Sequence, residues 1–177
     1  MAATTTASPA RQGRHSAPAL LAVYLNDHLA GATGGVELAR RVAGQHRGSP
    51  DGERLTRLAA EIAEDRDALT DIMSTLDVRV RRYKVCAGWA AERLGRLKPN
   101  RALVRRSPLS SLLELEAIRL GVEGKAALWR TLLRLPDGFG LDRARLETLE
   151  RRAGDQAGVL QELHARQAPD VFGGARD

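Results

Sequence analysis

The spacing of apolar residues is what most restricts the folds open to this chain. Apolar side chains recur every three or four residues in four long blocks, as they do along one face of an α-helix. None of the blocks alternates between apolar and polar residues with the period of two that marks a half-buried β-strand. The pattern therefore predicts an all-α domain built from four long helices.

The first two blocks predict the first pair of helices. The first block runs from about Ala19 to Gln45 and aligns on one face Leu21, Tyr24, Leu25, His28, Ala32, Gly35, Ala39 and Val42. The second begins at Ser49, a suitable N-cap, followed by Pro50 in the first turn. Its apolar positions are Leu55, Leu58, Ile62, Leu69, Met73 and Leu76.

The last two blocks predict a second pair of helices. The third begins at Ser107 and Pro108, again a cap followed by proline, and its apolar positions are Leu109, Leu112, Leu113, Leu120 and Ala127. The fourth follows a turn from Pro136 to Gly140, and its apolar positions are Leu146, Leu149, Ala153, Leu160 and Leu163.

The lengths of the connections predict how the helices are arranged. Short connections after the first and third blocks favour antiparallel neighbours, whereas the long one between the second and third permits a crossover. Within it, Tyr83 to Leu97 has the pattern of a shorter helix, which Pro99 ends. We expect an antiparallel four-helix bundle over residues 19–167, with disordered tails at 1–18 and 168–177.

Glycines interrupt two of the predicted helices. They are Gly31, Gly34 and Gly35 in the first and Gly121 and Gly124 in the third. Each costs about 1 kcal/mol relative to alanine, so an offsetting reason is expected. Close approach of packed helices is the interpretation we favour, and a kink that makes room for a ligand is the alternative.

Positive charge is concentrated in the crossover. The chain has a net charge of +6, yet residues 78–106 carry ten positive side chains against Glu92 alone, a net +9 that leaves −3 for the remainder. This density favours nucleic acid, anionic lipid or an acidic protein as partner. The candidate residues are Arg79, Arg81, Arg82, Lys84, Arg93, Arg96, Arg101, Arg105 and Arg106. Two plainer interpretations stay open. These basic side chains are only solvated, or they pair with acidic helices of the same bundle.

The single cysteine and the absence of a long apolar run bear on the compartment. Cys86 has no second cysteine to pair with, which favours a reducing environment. No apolar run approaches the ~20 residues that a membrane-spanning helix requires. We therefore expect a cytoplasmic protein with no membrane span.

Polar residues break the apolar faces, and we expect their side chains to point inward. They are His28 on the first helix, Glu61, Asp65 and Arg66 on the second, Glu116, Arg119 and Glu123 on the third, and Gln156 and His164 on the fourth. Unpaired buried charge is costly, so inward residues must pair or bind something.

Three interpretations of these inward residues stay open. In the first, Arg66 and Arg119 neutralise Asp65, Glu116 and Glu123 in a structural network. In the second, they form a metal site made of His28, Glu61, Asp65, Glu116, Glu123 and His164. In the third, some of these side chains are exposed because the helices are rotated from the assumed orientation.

The helical pattern, the crossover and the inward carboxylates resemble the ferritin-like superfamily over residues 19–167. That resemblance implies a di-iron site with a Glu on each of two helices and a Glu-x-x-His pair on each of the other two. Here Glu61 is followed at the third position by Glu64, and Glu162 is followed at the second by His164. The ligand motif is therefore degenerate. The segment from Tyr24 to Ala32 is also similar to one in bacterial proteins of unassigned activity.

These observations favour a non-catalytic interaction or scaffold module over an enzyme. No nucleophile elbow or phosphate-binding loop is present, and Cys86 has no histidine near it in the sequence. We expect a homo-oligomer without a cofactor. The alternatives are a variant di-metal bundle that holds iron or manganese, and an electrostatic nucleic-acid binder.

Overall fold

A computed structural model describes residues 17–81 and 108–173 of the 177-residue chain. Within these ranges the protein has four long helices, one short 3₁₀ turn and no β-strand. The helices are α1 (Ala17–Gln45), α2 (Gly52–Thr75), α3 (Pro108–Leu133) and α4 (Arg143–Phe172), and the 3₁₀ turn is Asp137–Phe139. The predicted all-α class is confirmed for this part of the chain, whereas the short helix predicted at 83–97 lies outside it.

The turn between α1 and α2 depends on two glycines. Gly48 has a φ of +82°, which glycine adopts without steric cost. A Cβ at Gly52 would lie 2.5 Å from the carbonyl oxygen of His46, so only glycine fits there. The predicted N-cap at Ser49 is therefore wrong, because this tight turn continues to Asp51 and α2 begins at Gly52.

The end of α2 is tied back onto α1. Asp77 takes a positive φ of 51°, and the N–H of Val78 donates to the carbonyl of Met73 at 2.8 Å. Just after this turn, the buried side-chain amide of Asn26 on α1 forms hydrogen bonds with the backbone of Arg79 and Arg81. Its Nδ2 donates to the carbonyl of Arg79 at 3.2 Å, and its Oδ1 accepts the N–H of Arg81 at 2.6 Å. The chain up to Arg81 therefore belongs with α1 and α2.

The buried face of α3 is rotated from the predicted one. Leu109, Leu120 and Ala127 are exposed, and Leu120 retains 70% of its surface. Leu112 is buried as predicted, and the other buried positions are Leu115, Ile118, Val122, Ala126, Leu128, Trp129 and Leu132. Apolar residues surround most of this helix, so the spacing alone fits more than one face.

The fourth helix is capped at one end and longer than predicted at the other. Asp142 is its N-cap, and the side-chain Oδ1 accepts the N–H of Arg145 at 3.0 Å. The helix continues to Phe172 with Pro169 inside its last turns. The predicted start of a tail at residue 168 is therefore too early, because the missing N–H of one proline removes a single helical hydrogen bond.

All four helices contribute to one hydrophobic core. Its fully buried members include Leu25 on α1, Met73 on α2, Trp129 on α3 and Leu160 on α4. The backbone of α1 approaches α2 and α3 closely, and α3 approaches α4 closely. The backbones of α2 and α4 approach less closely than these three pairs, and polar side chains bridge them.

The glycines inside the helices do not mark close approaches. A Cβ added at Gly31, Gly35, Gly121 or Gly124 would meet no atom of the described residues within 4 Å. The favoured interpretation of these four glycines as packing contacts is therefore wrong for the part of the chain that the structure describes.

Candidate functional site: a buried ion-pair cluster

A carboxylate lies in the middle of the core. Asp65 occupies the apolar face of α2 between Ile62 and Leu69, and its side chain is completely buried. The residue was predicted to point inward, and the structure confirms it. Burying a carboxylate without partners is prohibitive, so its surroundings determine what the site can do.

Three side chains from α3 and α4 satisfy Asp65. Lys125 on α3 donates from Nζ to Oδ2, and Arg152 on α4 donates from Nη2 to Oδ1. Gln156 on α4 adds a donation from Nε2 to Oδ2 at 3.1 Å. We refer to Asp65, Lys125, Arg152 and Gln156 as the Asp65 cluster.

The members of the Asp65 cluster also bind one another and two further acids. Lys125 Nζ donates to Gln156 Oε1 at 2.5 Å, and Gln156 Nε2 donates to Glu61 Oε2 at 3.2 Å. Arg152 Nη1 donates to Glu64 Oε2 at 2.9 Å. The network thus runs from the buried Asp65 out to the half-buried Glu61 and the exposed Glu64.

Burial controls the electrostatics of the cluster. Burial lowers the pKa of the Lys125 ammonium, although the nearby Asp65 carboxylate opposes this by favouring the charged form. Removing one member of a buried ion pair generally costs about 3–5 kcal/mol, because the other charge stays buried. Replacing the whole pair with apolar groups is often neutral or stabilising.

The predicted partners of the buried acid are wrong. Arg66 was expected to neutralise Asp65, but its Nε lies 2.8 Å from Oδ1 of Asp67. Arg66 therefore turns toward the exposed Asp67 and leaves the buried Asp65 to other partners.

Lys125 and Arg152 were not among the predicted inward residues. Lys125 would have been found had the face of α3 been drawn through Ile118, Val122 and Trp129, where it is the one charged interruption. Arg152 lies beside Ala153 on α4, and nothing in its spacing distinguishes it from the other arginines of that helix.

The remaining predicted metal ligands lie elsewhere. Glu116 and Glu123 are exposed, so their inward placement is wrong, as a result of the rotation of α3. Glu116 Oε1 lies 2.8 Å from His164 Nε2 on α4. His28 is half-buried on α1 with its ring edge-on to Tyr24, the centroids 4.5 Å apart, and burial lowers its pKa.

The described residues contain no group of three or more His, Cys, Asp or Glu side chains that are placed to hold a metal ion. Of the candidate ligands, the structure brings Asp65 together with Glu61 through Gln156, and Glu116 together with His164. The structure does not bring the Asp65–Glu61 pair together with the Glu116–His164 pair.

Ion pairs at the surface, three of them with one half-buried partner, extend the contact between α2 and α4 along both helices. From the beginning of α2 to its end, the pairs are Asp51–Arg166 at 3.1 Å, Arg54–Glu162 at 2.5 Å, Glu64–Arg152 at 2.9 Å and Asp71–Arg145 at 2.8 Å. We refer to these four pairs as the α2–α4 ladder. Residue numbers rise along α2 as they fall along α4.

Of the predicted basic segment, only its beginning is described. Arg79 and Arg81 are exposed. Arg82, Lys84, Arg93, Arg96, Arg101, Arg105 and Arg106 lie outside the described residues.

Comparison with family models, with curated proteins and with solved structures finds no match for this chain. Among the described helices, none combines the length and the apolar character needed to cross a membrane.

Proposed function

We propose that this chain is a non-catalytic helical bundle that acts as an interaction or scaffold module and associates with further copies of itself. The observation that carries the proposal is that side chains of the chain itself satisfy Asp65. A carboxylate offers about four acceptor positions, and donors from Lys125, Arg152 and Gln156 occupy three of them. A buried acid with these partners serves to fix the register of the helices.

The proposal includes an antiparallel, ferritin-like arrangement of the bundle. The reversed order of pairs in the α2–α4 ladder supports opposite directions for those helices. Contacts between α1 and α3 support opposite directions for those two helices as well. The Tyr24 hydroxyl lies 3.4 Å from the Thr131 hydroxyl, and Arg41 Nη2 lies 3.5 Å from Glu114 Oε1. With α2 and α3 then parallel, the end of α2 and the beginning of α3 lie at opposite ends of the bundle, which is the relation that a ferritin-like crossover requires.

Exposed apolar side chains support self-association. Leu20 and Val23 lie one turn apart on α1 and keep 55% and 42% of their surface, and Leu120 protrudes from α3. Large apolar groups that stay in water in one copy gain free energy when a second copy covers them.

Size-exclusion chromatography with light scattering tests this function. We expect a mass of at least twice the 19.2 kDa of one chain, and a shift toward one chain in the variant Leu20→Gln, Leu120→Gln. Arg40→Gln, which changes an exposed residue outside these positions, is the matched control. A mass of one chain at high micromolar concentration would contradict the proposal.

A variant metal-binding bundle is a second candidate, favoured by the His164–Glu116 pair across α3 and α4. Iron or manganese would then draw on His28, Glu61, Asp65, Glu116, Glu123 and His164. Elemental analysis of protein purified without chelators decides the matter. Stoichiometric iron or manganese would replace the scaffold proposal, and sub-stoichiometric metal would remove the alternative.

Electrostatic binding of nucleic acid is a third candidate, favoured by the exposure of Arg79 and Arg81 at the start of the basic segment. A mobility shift at ~150 mM salt tests it, since screening at that ionic strength removes weak surface attraction. Charge reversal at Arg81, Arg82, Arg105 and Arg106 is expected to abolish any specific shift. An unchanged shift would eliminate this candidate.

A further inference from the structure

We infer that two copies associate by exchanging helical hairpins, one made of α1 and α2 and the other of α3 and α4. In the exchanged pair, α2 of one copy forms the α2–α4 ladder with α4 of the other. This inference rests on the proposed self-association and gives the two copies a second contact, beyond the exposed apolar side chains. It follows from the seam between α2 and α4, where the backbones approach less closely than in the other three contacts between neighbouring helices.

Long polar side chains bridge the seam between α2 and α4 along its length. The α1–α2, α3–α4 and α1–α3 contacts bring backbones close together, whereas α2 and α4 approach less closely. An exposed ion pair contributes little to stability, about 0–1 kcal/mol. Separating α1 and α2 from α3 and α4 breaks the α2–α4 seam, the α1–α3 contact and the Asp65 cluster, but it leaves the closest packing, within α1–α2 and within α3–α4, intact.

The charges on the ladder specify one register. Along α2 they read acid, base, acid, acid, and the facing positions on α4 read base, acid, base, base. Because of the inverted pair Arg54–Glu162, a slide of one helical turn brings like charges together in either direction, Arg54 with Arg166 or Asp51 with Glu162. Such a pattern selects the correct complementary helix, whether that helix belongs to the same copy or to another.

Each hairpin is a unit in its own right. A short turn joins α1 to α2, another joins α3 to α4, and Asn26 ties the chain as far as Arg81 to the first hairpin. Residues 82–107, which link the hairpins, have a contour length of up to about 90 Å. A helix as long as α3 spans about 39 Å, so the linking segment is long enough to reach a neighbouring copy.

The exchanged form keeps the contacts of the single copy. The Asp65 cluster, the ladder and the α1–α3 contact all lie between the two hairpins, and all re-form between two chains. Exchange of identical elements is a low-cost route to a dimer, since the remaining cost is the entropy of association. The dimer population should therefore rise with protein concentration.

Charge-reversed variants test the exchange. The α2-reversed variant carries Arg54→Glu and Asp71→Arg, and the α4-reversed variant carries Arg145→Asp and Glu162→Arg. Each reversal leaves the net charge of +6 unchanged, which removes general attraction between the variants as an explanation. A chain with all four substitutions restores opposite charges within one copy and is the matched control. The Asp65 cluster is untouched in every variant.

The two variants are unfolded together in urea, refolded and weighed by native mass spectrometry. In the exchanged dimer of one α2-reversed and one α4-reversed chain, every ladder pair has opposite charges. In each variant alone, two pairs of every ladder have like charges. We expect the mixed dimer to exceed each homodimer by at least about tenfold, and the control chain to behave like the unmodified protein.

The outcomes separate this inference from the proposed function. If the unmodified protein is a dimer but the mixture shows no preference for the mixed dimer, the exchange is overturned and self-association stands. If the unmodified protein is a monomer, both are overturned. If the reversed variants are unfolded alone, recovery of helical circular dichroism on mixing supports exchange. A lack of recovery while the control chain folds overturns it.

Discussion

Asn26 shows at the scale of one residue how a buried amide positions a neighbouring segment. It binds the carbonyl of Arg79 and the N–H of Arg81, and leaving such groups without partners costs about 1–3 kcal/mol. We expect Asn26→Ala to lower the free energy of urea unfolding by that amount and to speed hydrogen exchange at the Arg81 amide. Asp27→Ala, at the exposed neighbouring position, is the control. Unchanged exchange at Arg81 would contradict the role of Asn26.

His28 gives the protein a pH dependence at the same scale. Burial lowers its pKa below the ordinary 6.5, although Asp27 opposes the shift. Below pH 6.5 the unfolded chain therefore binds a proton that the folded protein does not. The free energy of unfolding should fall as the pH drops through 6.5 and stop falling below the folded pKa. Urea unfolding at about pH 7.5 and about pH 5.5 measures this loss. His28→Phe keeps a ring beside Tyr24 and should show a smaller loss, whereas an equal loss would exclude His28.

Among the helices, α1 and α3 carry glycines that no described contact requires. Gly31→Ala and Gly121→Ala should each raise the free energy of unfolding by about 0.5–1 kcal/mol, because alanine restricts the unfolded chain more. Gly52→Ala is the contrasting variant, since its Cβ would lie 2.5 Å from the His46 carbonyl oxygen, and it should be destabilising. Urea unfolding of the three variants measures both effects. Loss of stability at Gly31 or Gly121 would show that these positions are in close contact.

The helices themselves could be predicted from sequence because apolar spacing reports local periodicity. The burial of Asp65 also followed, since it lies between Ile62 and Leu69 on one clear stripe. The rotation of α3 did not follow, because Leu120 fits the periodicity as well as Leu115 does. The partners of Asp65 depend on the rotation and register of two other helices, and local spacing encodes neither.

In the whole molecule, the polar contacts that α2 makes with α3 and α4 are arranged in layers. The Asp65 cluster is the buried layer, and the ladder continues it through pairs at the surface toward both ends. The buried layer provides the larger energetic constraint, because an uncompensated charge in the core is far more costly than a lost surface pair. The central claim is therefore that Asp65 serves the packing of the hairpins and is satisfied by the chain itself.

Urea unfolding of two variants tests this claim most directly. Lys125→Met should lower the free energy of unfolding by about 3 kcal/mol, because it leaves the Asp65 carboxylate buried with one cation fewer. Adding Asp65→Leu should restore most of that loss, since Arg152 keeps Glu64 as its partner at 2.9 Å. Arg145→Met on the exposed ladder is the control and should cost less than about 1 kcal/mol. A double variant that is no more stable than Lys125→Met would contradict the account.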